Sequence, residues 1–158
     1  MISARDRSVM IRDACRRYHK RMDVRDLAAA VAESTLSPLE RVRFLNLCEP
    51  RSAEMLAEDR DRVAGHVSLM EAANALSPTI DIELARVIGA SLQAMLAEPE
   101  KLAYEERRLL AGAVEYFVLT GDSDDDMASP VGLVDDAHVT NATARALNRE
   151  DLVVPLVG

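Results

Sequence analysis

The feature that most constrains this chain is a series of apolar stripes at helical spacing, each bounded by residues that begin or end helices. At Ser37 a serine N-cap, a proline at the first helical position and Glu40 at the third form a capping box. Ser52 and Asp81 give similar start signals. The alternation typical of a strand appears only in the last seven residues. The sequence therefore predicts an all-α, single-domain bundle of six or seven helices.

The composition agrees with closely packed helices. The chain has no Trp, two Phe and three Tyr, so small and aliphatic side chains have to fill the core. Its 158 residues fit one domain. We assign residues 1–151 to a single helical domain and residues 152–158 to an apolar tail.

Apolar periodicity and cap signals predict where the helices lie. The helix that begins after Asp81 is apolar around most of its surface, so we expect it to be the central, most buried one. Gly89 in that helix would permit close approach of a neighbour. The mixed charges of residues 58–62 predict a solvated stretch of helix. The helices are expected at about residues 4–21, 24–31, 38–49, 53–76, 82–97, 100–119 and 134–147.

Charge is distributed unevenly along the chain. The first 25 residues hold eight Arg or Lys against three Asp, whereas the remainder holds eleven against twenty-four acidic residues. An acidic body repels phosphates, which disfavours nucleic acid as the partner of the whole domain. For the basic first helix, packing on the protein's own acidic surface is the simpler interpretation. Binding to a membrane surface or to nucleic acid is the alternative.

The cysteines and the N-terminus indicate a cytoplasmic protein. Cys15 and Cys48 form neither a disulfide framework nor a CxxC metal pair, and both lie at apolar helical positions. Buried thiols of this kind are typical of a reducing compartment. The N-terminus is polar and charged, and no apolar run approaches the roughly 20 residues that span a bilayer. We therefore expect a cytoplasmic protein without a transmembrane segment.

An acidic stretch joins the last two predicted helices. It combines an aromatic residue near a helix end, two separated aspartates, a glycine and an aspartate pair, namely Tyr116, Asp122, Asp126, Gly132, Asp135 and Asp136. The pattern resembles the YkvA-like domain of unknown function, a small bacterial helical domain, over about residues 109–147. The resemblance implies a shape and a set of acids. Because that family has no established activity, it implies no reaction.

The carboxylates of this junction need compensation, because like charges within about 6 Å disfavour joint ionisation. Helix capping by Asp122, Asp126 and Asp135, or pairing with arginines, is the structural interpretation. A hard cation such as Ca²⁺ or Mg²⁺ is the alternative, since it prefers oxygen ligands. His138 shares a helical face with Asp135, which would admit a transition metal. The candidate metal ligands are Asp122, Asp126, Asp135, Asp136 and His138.

The sequence predicts no catalytic residues. It contains no recognisable Ser-His-Asp or Cys-His arrangement, no Gly-rich phosphate loop and no HExxH motif. Our leading hypothesis is a non-catalytic helical protein without a cofactor that binds another protein, its acidic junction being mainly structural. The alternative is a metal-binding or metal-dependent hydrolytic site at the same junction.

The chain ends in an apolar, β-branched tail that contains Pro155. It either packs back on the core or docks in a partner's groove or at a sheet edge. Packing is the favoured interpretation, because exposed apolar tails are a liability. The candidate partner-binding residues are Leu152, Val153, Val154 and Leu156.

Overall fold

The computed structural model describes residues 36–78, 80–119 and 130–156, and all regular structure in them is helical. Two 3₁₀ turns, Pro99–Lys101 and Glu150–Leu152, accompany the longer helices. The all-α class is confirmed, but the described residues form five helices and not six or seven. The helices expected at residues 4–21 and 24–31 lie outside the described residues. The five are α1 (Pro38–Leu47), α2 (Ala53–Leu76), α3 (Ile82–Met95), α4 (Tyr104–Leu119) and α5 (Pro130–Ala146).

The predicted starts of the first three helices are confirmed by their capping hydrogen bonds. Ser37 Oγ accepts the N–H of Glu40 at 3.2 Å, and Glu40 Oε1 accepts the N–H of Ser37 at 3.1 Å, which closes the capping box. The side chains of Ser52 and Asp81 likewise accept a backbone N–H in the first turns of α2 and α3. Each such cap stabilises the protein by about 1 kcal/mol.

The last two helices begin at other residues than predicted. Helix α4 begins later, because Pro99–Lys101 forms a 3₁₀ turn and the Glu106 carboxylate accepts the N–H of Ala103 at 2.8 Å. Helix α5 begins earlier, at Pro130 instead of near Val134. Proline suits a first helical turn because its φ is already helical and it lacks the N–H that would be left unpaired there.

Helix α4 lies at the centre of the described bundle and packs against each of the other four helices. Nine of its residues are buried, against six of α3, so the prediction that α3 is the central helix is wrong. Leu110, Val114 and Phe117 form the fully buried stripe of α4, and Phe44 of α1 joins the same core. Burial of each such side chain is worth roughly 1.5–3 kcal/mol.

Two glycines allow the helices to approach closely. A Cβ at Gly89 would lie 2.6 Å from Cγ2 of Val67 on α2, which confirms the predicted role of this glycine. A Cβ at Gly112 of α4 would lie 2.5 Å from Sγ of Cys48, at the end of α1. Nε of Arg108 also donates to the Cys48 carbonyl at 3.0 Å. These contacts hold α1 against α4.

One residue of the charge run at 58–62 is fully buried. Oδ2 and Oδ1 of Asp59 accept hydrogen bonds from Arg51, at 2.6 and 2.7 Å, and Nη1 of Arg62 lies 2.9 Å from Oδ1. Arg62 also pairs with Glu115 of α4. The prediction of a solvated stretch is therefore wrong for Asp59. Its burial is tolerated because two guanidinium groups compensate its charge.

Candidate metal centre

Glu40, Asp135 and His138 bring three potential ligand atoms together where α1 meets α5. One carboxylate oxygen from each acid and one ring nitrogen of the histidine all lie within 4.8 Å of one another. Oε2 of Glu40 is 3.4 Å from Nδ1 of His138. Among the described residues, this is the one group of three or more such side chains that could hold a metal ion.

Helical spacing places two of these side chains side by side. Asp135 and His138 are three residues apart on α5, so they lie on neighbouring turns of one face. Leu133 and Ala137 of the same helix are buried in the core and fix its rotation. Asp135 and His138 are consequently half-buried at the edge of the helix interface.

The capping box of α1 orients the third side chain. Oε1 of Glu40 accepts the N–H of Ser37, and the other oxygen, Oε2, is the atom close to His138. Only 12% of the Glu40 side chain is exposed. The residue that caps α1 is therefore also held in position to act as a ligand, with little conformational freedom left to lose on binding.

Two atoms of this group are buried without a hydrogen bond. In the part of the chain that the structure describes, neither Oε2 of Glu40 nor Nδ1 of His138 has a hydrogen-bond partner. The two atoms form an ion pair only when the imidazole carries a second proton. Buried polar atoms in proteins are nearly always paired. With neutral imidazole, both atoms can offer a lone pair to a shared ligand.

Tyr116 of α4 lies within electrostatic reach of the same carboxylates. Burial raises the pKa of its phenol to about 12, and the negative charges of Asp135, Asp136 and Glu40 act in the same direction, opposed by Arg43. The phenol therefore keeps its proton at neutral pH. It is a hydrogen-bond donor beside a group of acids.

The structure brings together two of the predicted ligands, Asp135 and His138, and adds Glu40. Asp136 is buried beside them on α5, whereas Asp122 and Asp126 lie outside the described residues. Asp135 does not cap a helix, because α5 already begins at Pro130. That part of the capping interpretation is wrong.

The sequence offered no local signal for Glu40 as a ligand. It is far from the acidic junction along the chain, and its place in the capping box accounted for it fully. Only the packing of α1 beside α5 brings its carboxylate close to His138. Glu106 likewise accepts a backbone N–H at the start of α4. The sequence alone therefore does not show which of the two glutamates, Glu40 or Glu106, lies near other potential ligands.

The tail residues predicted to bind a partner lie against the protein's own helices. Val154 is 2% exposed, and Leu152 and Val153 are half-buried against the core. Leu156 is exposed. Binding of a partner by these residues stays a prediction.

No protein-family model, curated protein or solved structure matches this chain. The resemblance to the YkvA-like domain accordingly stays a prediction. None of the helices in the described ranges is both long enough and apolar enough to cross a bilayer.

Proposed function

We propose that this protein binds a divalent metal ion through Glu40, Asp135 and His138. The supporting observation is the buried, unpaired state of Glu40 Oε2 and His138 Nδ1, which lie 3.4 Å apart. Two ligand atoms at about 2.1 Å from a tetrahedrally coordinated ion are themselves about 3.4 Å apart. Asp135 also offers a carboxylate oxygen within 4.8 Å of one ligand atom of Glu40 and one ring nitrogen of His138. The spacing suits a shared ion better than a direct hydrogen bond, which would be shorter.

The ligand set favours Mn²⁺, Fe²⁺, Co²⁺ or Zn²⁺. Imidazole is a good ligand for these ions, whereas Ca²⁺ takes six to eight oxygen ligands and Mg²⁺ keeps several waters. Of the ions considered from the sequence, Ca²⁺ and Mg²⁺ are thus less suitable than the transition metal that His138 would admit. A bound cation would also offset the repulsion among the carboxylates around Tyr116.

The role that we propose for the ion is structural. Helix α1 packs mainly on α4 and meets α5 over a smaller contact. An ion held by Glu40 of α1 and by two residues of α5 would add a link across this smaller contact. The hydrolytic alternative concerns the same site, because three protein ligands leave a position for a reactive water.

Thermal denaturation of the full chain tests this function. The protein is first treated with EDTA and then melted with Mn²⁺, Zn²⁺, Ca²⁺ or Mg²⁺. An ion at a hundred times its dissociation constant that binds only the folded state stabilises it by about 2.7 kcal/mol. We expect Mn²⁺ or Zn²⁺ to raise the melting temperature and His138→Ala to abolish the increase. Equal melting temperatures with every ion would contradict the proposal.

Contact with another protein is the second role that we propose. Leu69 and Leu76 of α2 are 64% and 91% exposed and, seven residues apart, lie on one face of the helix. The double variant Leu69→Lys/Leu76→Lys should fold normally, because both side chains are at the surface. In a pull-down, a partner protein that binds the wild-type chain and does not bind this variant would support the role. Equal binding to both chains would show that the face formed by Leu69 and Leu76 does not contact the partner.

We also propose kinship with the YkvA-like domain and a cytoplasmic location. Kinship is supported by the proximity of Tyr116 to Asp135 and Asp136, three of the residues that carry the resemblance. The location is supported by Cys48, a free thiol buried in the core. Burial raises the pKa of this thiol to about 12, so it stays protonated and unreactive.

A further inference from the structure

We propose that the groove between α3 and α5 is a docking site for an extended apolar peptide, and that the chain's own residues 152–154 occupy it in this structure. The proposal is independent of the metal centre, because none of the three ion ligands contributes to the groove.

The main observation is the way in which Asn141 of α5 binds the tail. Its side chain is buried, Oδ1 accepts the N–H of Val154 at 2.6 Å, and Nδ2 donates to the carbonyl of Val154 at 3.0 Å. One amide thus satisfies both backbone groups of one residue, as a neighbouring β-strand would. Because these bonds involve only the backbone of Val154, they can be made to any extended segment that presents an N–H and a C=O there.

A second polar contact extends this recognition along the tail. Oγ of Ser91 on α3 donates to the carbonyl of Leu152 at 2.6 Å. Leu152 ends the 3₁₀ turn and Val153 after it is extended, so the carbonyl of Leu152 reaches α3 and the backbone of Val154 reaches α5. The Val154 side chain is enclosed in the core. Backbone hydrogen bonds combined with a pocket for a side chain are a usual means of binding an extended peptide.

The tail does not fill the groove. Beside Pro155 and Leu156 a cavity of about 290 Å³ remains, lined by Leu84 and Val87 of α3 and Val134 of α5. Both Val87 and Leu156 are about two-fifths exposed. A peptide with larger apolar side chains at these positions would therefore bury surface that the tail leaves in water.

The groove specifies the chemistry of its occupant. The residue opposite Asn141 must have a free N–H, which excludes proline, and a side chain that fits the space of Val154. Asp81 and Glu83 lie at the rim of the cavity, so acidic residues are disfavoured in the following positions. The occupant is thus a neutral or basic, extended apolar segment of a partner protein. It would displace residues 152–154 and would have to replace their three hydrogen bonds and the enclosed side chain of Val154.

A labelled peptide tests the proposal. The probe is a fluorescein-labelled synthetic peptide with the sequence of residues 150–158, and binding is followed by fluorescence anisotropy. The receptor is the full chain with Val154→Asp, whose own tail is displaced because the core does not accept an unpaired carboxylate. We expect at least tenfold tighter binding to this variant than to the wild-type chain, in which the attached tail competes at a high effective concentration. The same peptide N-methylated at the Val154 amide should bind at least tenfold more weakly, since it cannot donate to Asn141.

A second receptor keeps the test decisive if Val154→Asp does not fold. A site-specific protease sequence inserted after Asn148 allows the native tail to be cut from the folded protein, and the labelled peptide should then replace it. Equal binding of the plain and N-methylated peptides would overturn the proposal. So would failure of the cut chain to exchange its tail, or a dimer of the wild-type chain that Val154→Asp abolishes, which would identify a second copy as the occupant.

Discussion

Glu40 closes the capping box of α1 with one carboxylate oxygen and holds the other 3.4 Å from Nδ1 of His138 on α5. The capping box of α1 can be recognised from the sequence, whereas the proximity of Glu40 to His138 arises only when α1 and α5 pack together. Because the same carboxylate belongs to both, the proposed metal centre predicts that a change in the cap weakens ion binding.

Ser37→Ala should weaken both the helix and the ion site. We expect a loss of about 1 kcal/mol in the free energy of unfolding, because the N–H of Glu40 loses its acceptor. We also expect weaker binding of Mn²⁺ or Zn²⁺, because the Glu40 carboxylate is then less firmly held. Ser52→Ala, which removes the cap of α2, should cost similar stability and leave ion affinity unchanged. Equal ion affinities for the two variants would argue against the coupling.

Gly112→Ala should destabilise the protein by about 1–3 kcal/mol, as expected for overpacking. The added Cβ would lie 2.5 Å from Sγ of Cys48 and 3.3 Å from its Cα, and the backbone atom cannot move without shifting α1. Gly65→Ala is the matched control, because a Cβ there meets no atom within 4 Å. It should stabilise α2 by about 0.5–1 kcal/mol. Urea denaturation measures both, and a Gly112→Ala chain as stable as the wild type would contradict the packing of α1 on α4.

Tyr116 should make the folded state less stable at high pH. Its pKa is raised to about 12 in the folded protein, against an ordinary value of 10.0. The stabilisation is fully present below pH 10 and is lost as the pH rises towards 12, because the unfolded chain releases the proton first. The slope contributed by Tyr116 should approach about 1.4 kcal/mol per pH unit within that window.

The comparison that isolates this contribution is Tyr116→Phe. Burial also raises the pKa of the Cys48 thiol to about 12, so the wild-type chain loses stability from both groups. Tyr116→Phe should show the shallower decline that Cys48 alone produces. Parallel curves of unfolding free energy against pH for the two chains would show that folding does not raise the pKa of the Tyr116 phenol.

Arg51→Met should destabilise the protein on the order of 3 kcal/mol, because it removes one of two cations that compensate the fully buried Asp59. Arg86→Met is a suitable control, since the ion pairs of Arg86 with Glu71 and Glu83 are exposed. It should change the free energy of unfolding by less than about 1 kcal/mol. Similar losses in the two variants would contradict the distinction between a buried and an exposed pair.

Local chemistry made much of the fold predictable from the sequence. The starts of α1, α2 and α3 follow from Ser37, Ser52 and Asp81, because each cap acts within one helical turn. The 3₁₀ turn at Pro99–Lys101 and the early start of α5 at Pro130 were missed, since they depend on how each connection reaches the next helix.

Features created by packing could not be predicted in the same way. Asp59 lies in a run of charged residues, a pattern that predicts a solvated helix face. Its burial depends on the guanidinium of Arg51, which binds both oxygens of its carboxylate in the folded chain. His66 is buried on α2, and no local pattern in the sequence indicates what its ring contacts. It lies edge-on to the ring of Phe117, with the centroids 4.8 Å apart. Glu40 became a candidate ligand for the same reason, through a neighbour distant along the chain.

Calorimetric titration of Mn²⁺ or Zn²⁺ into the metal-free full chain at neutral pH tests the central claim most directly. Glu40→Gln keeps the size of the side chain and removes its charge, and Glu54→Gln makes the same change in the first turn of α2. We predict one ion per chain for the wild type and for Glu54→Gln, with at least tenfold weaker binding for Glu40→Gln. Absence of saturable binding to the folded wild-type chain, or equal affinity in all three proteins, would contradict the proposed metal centre.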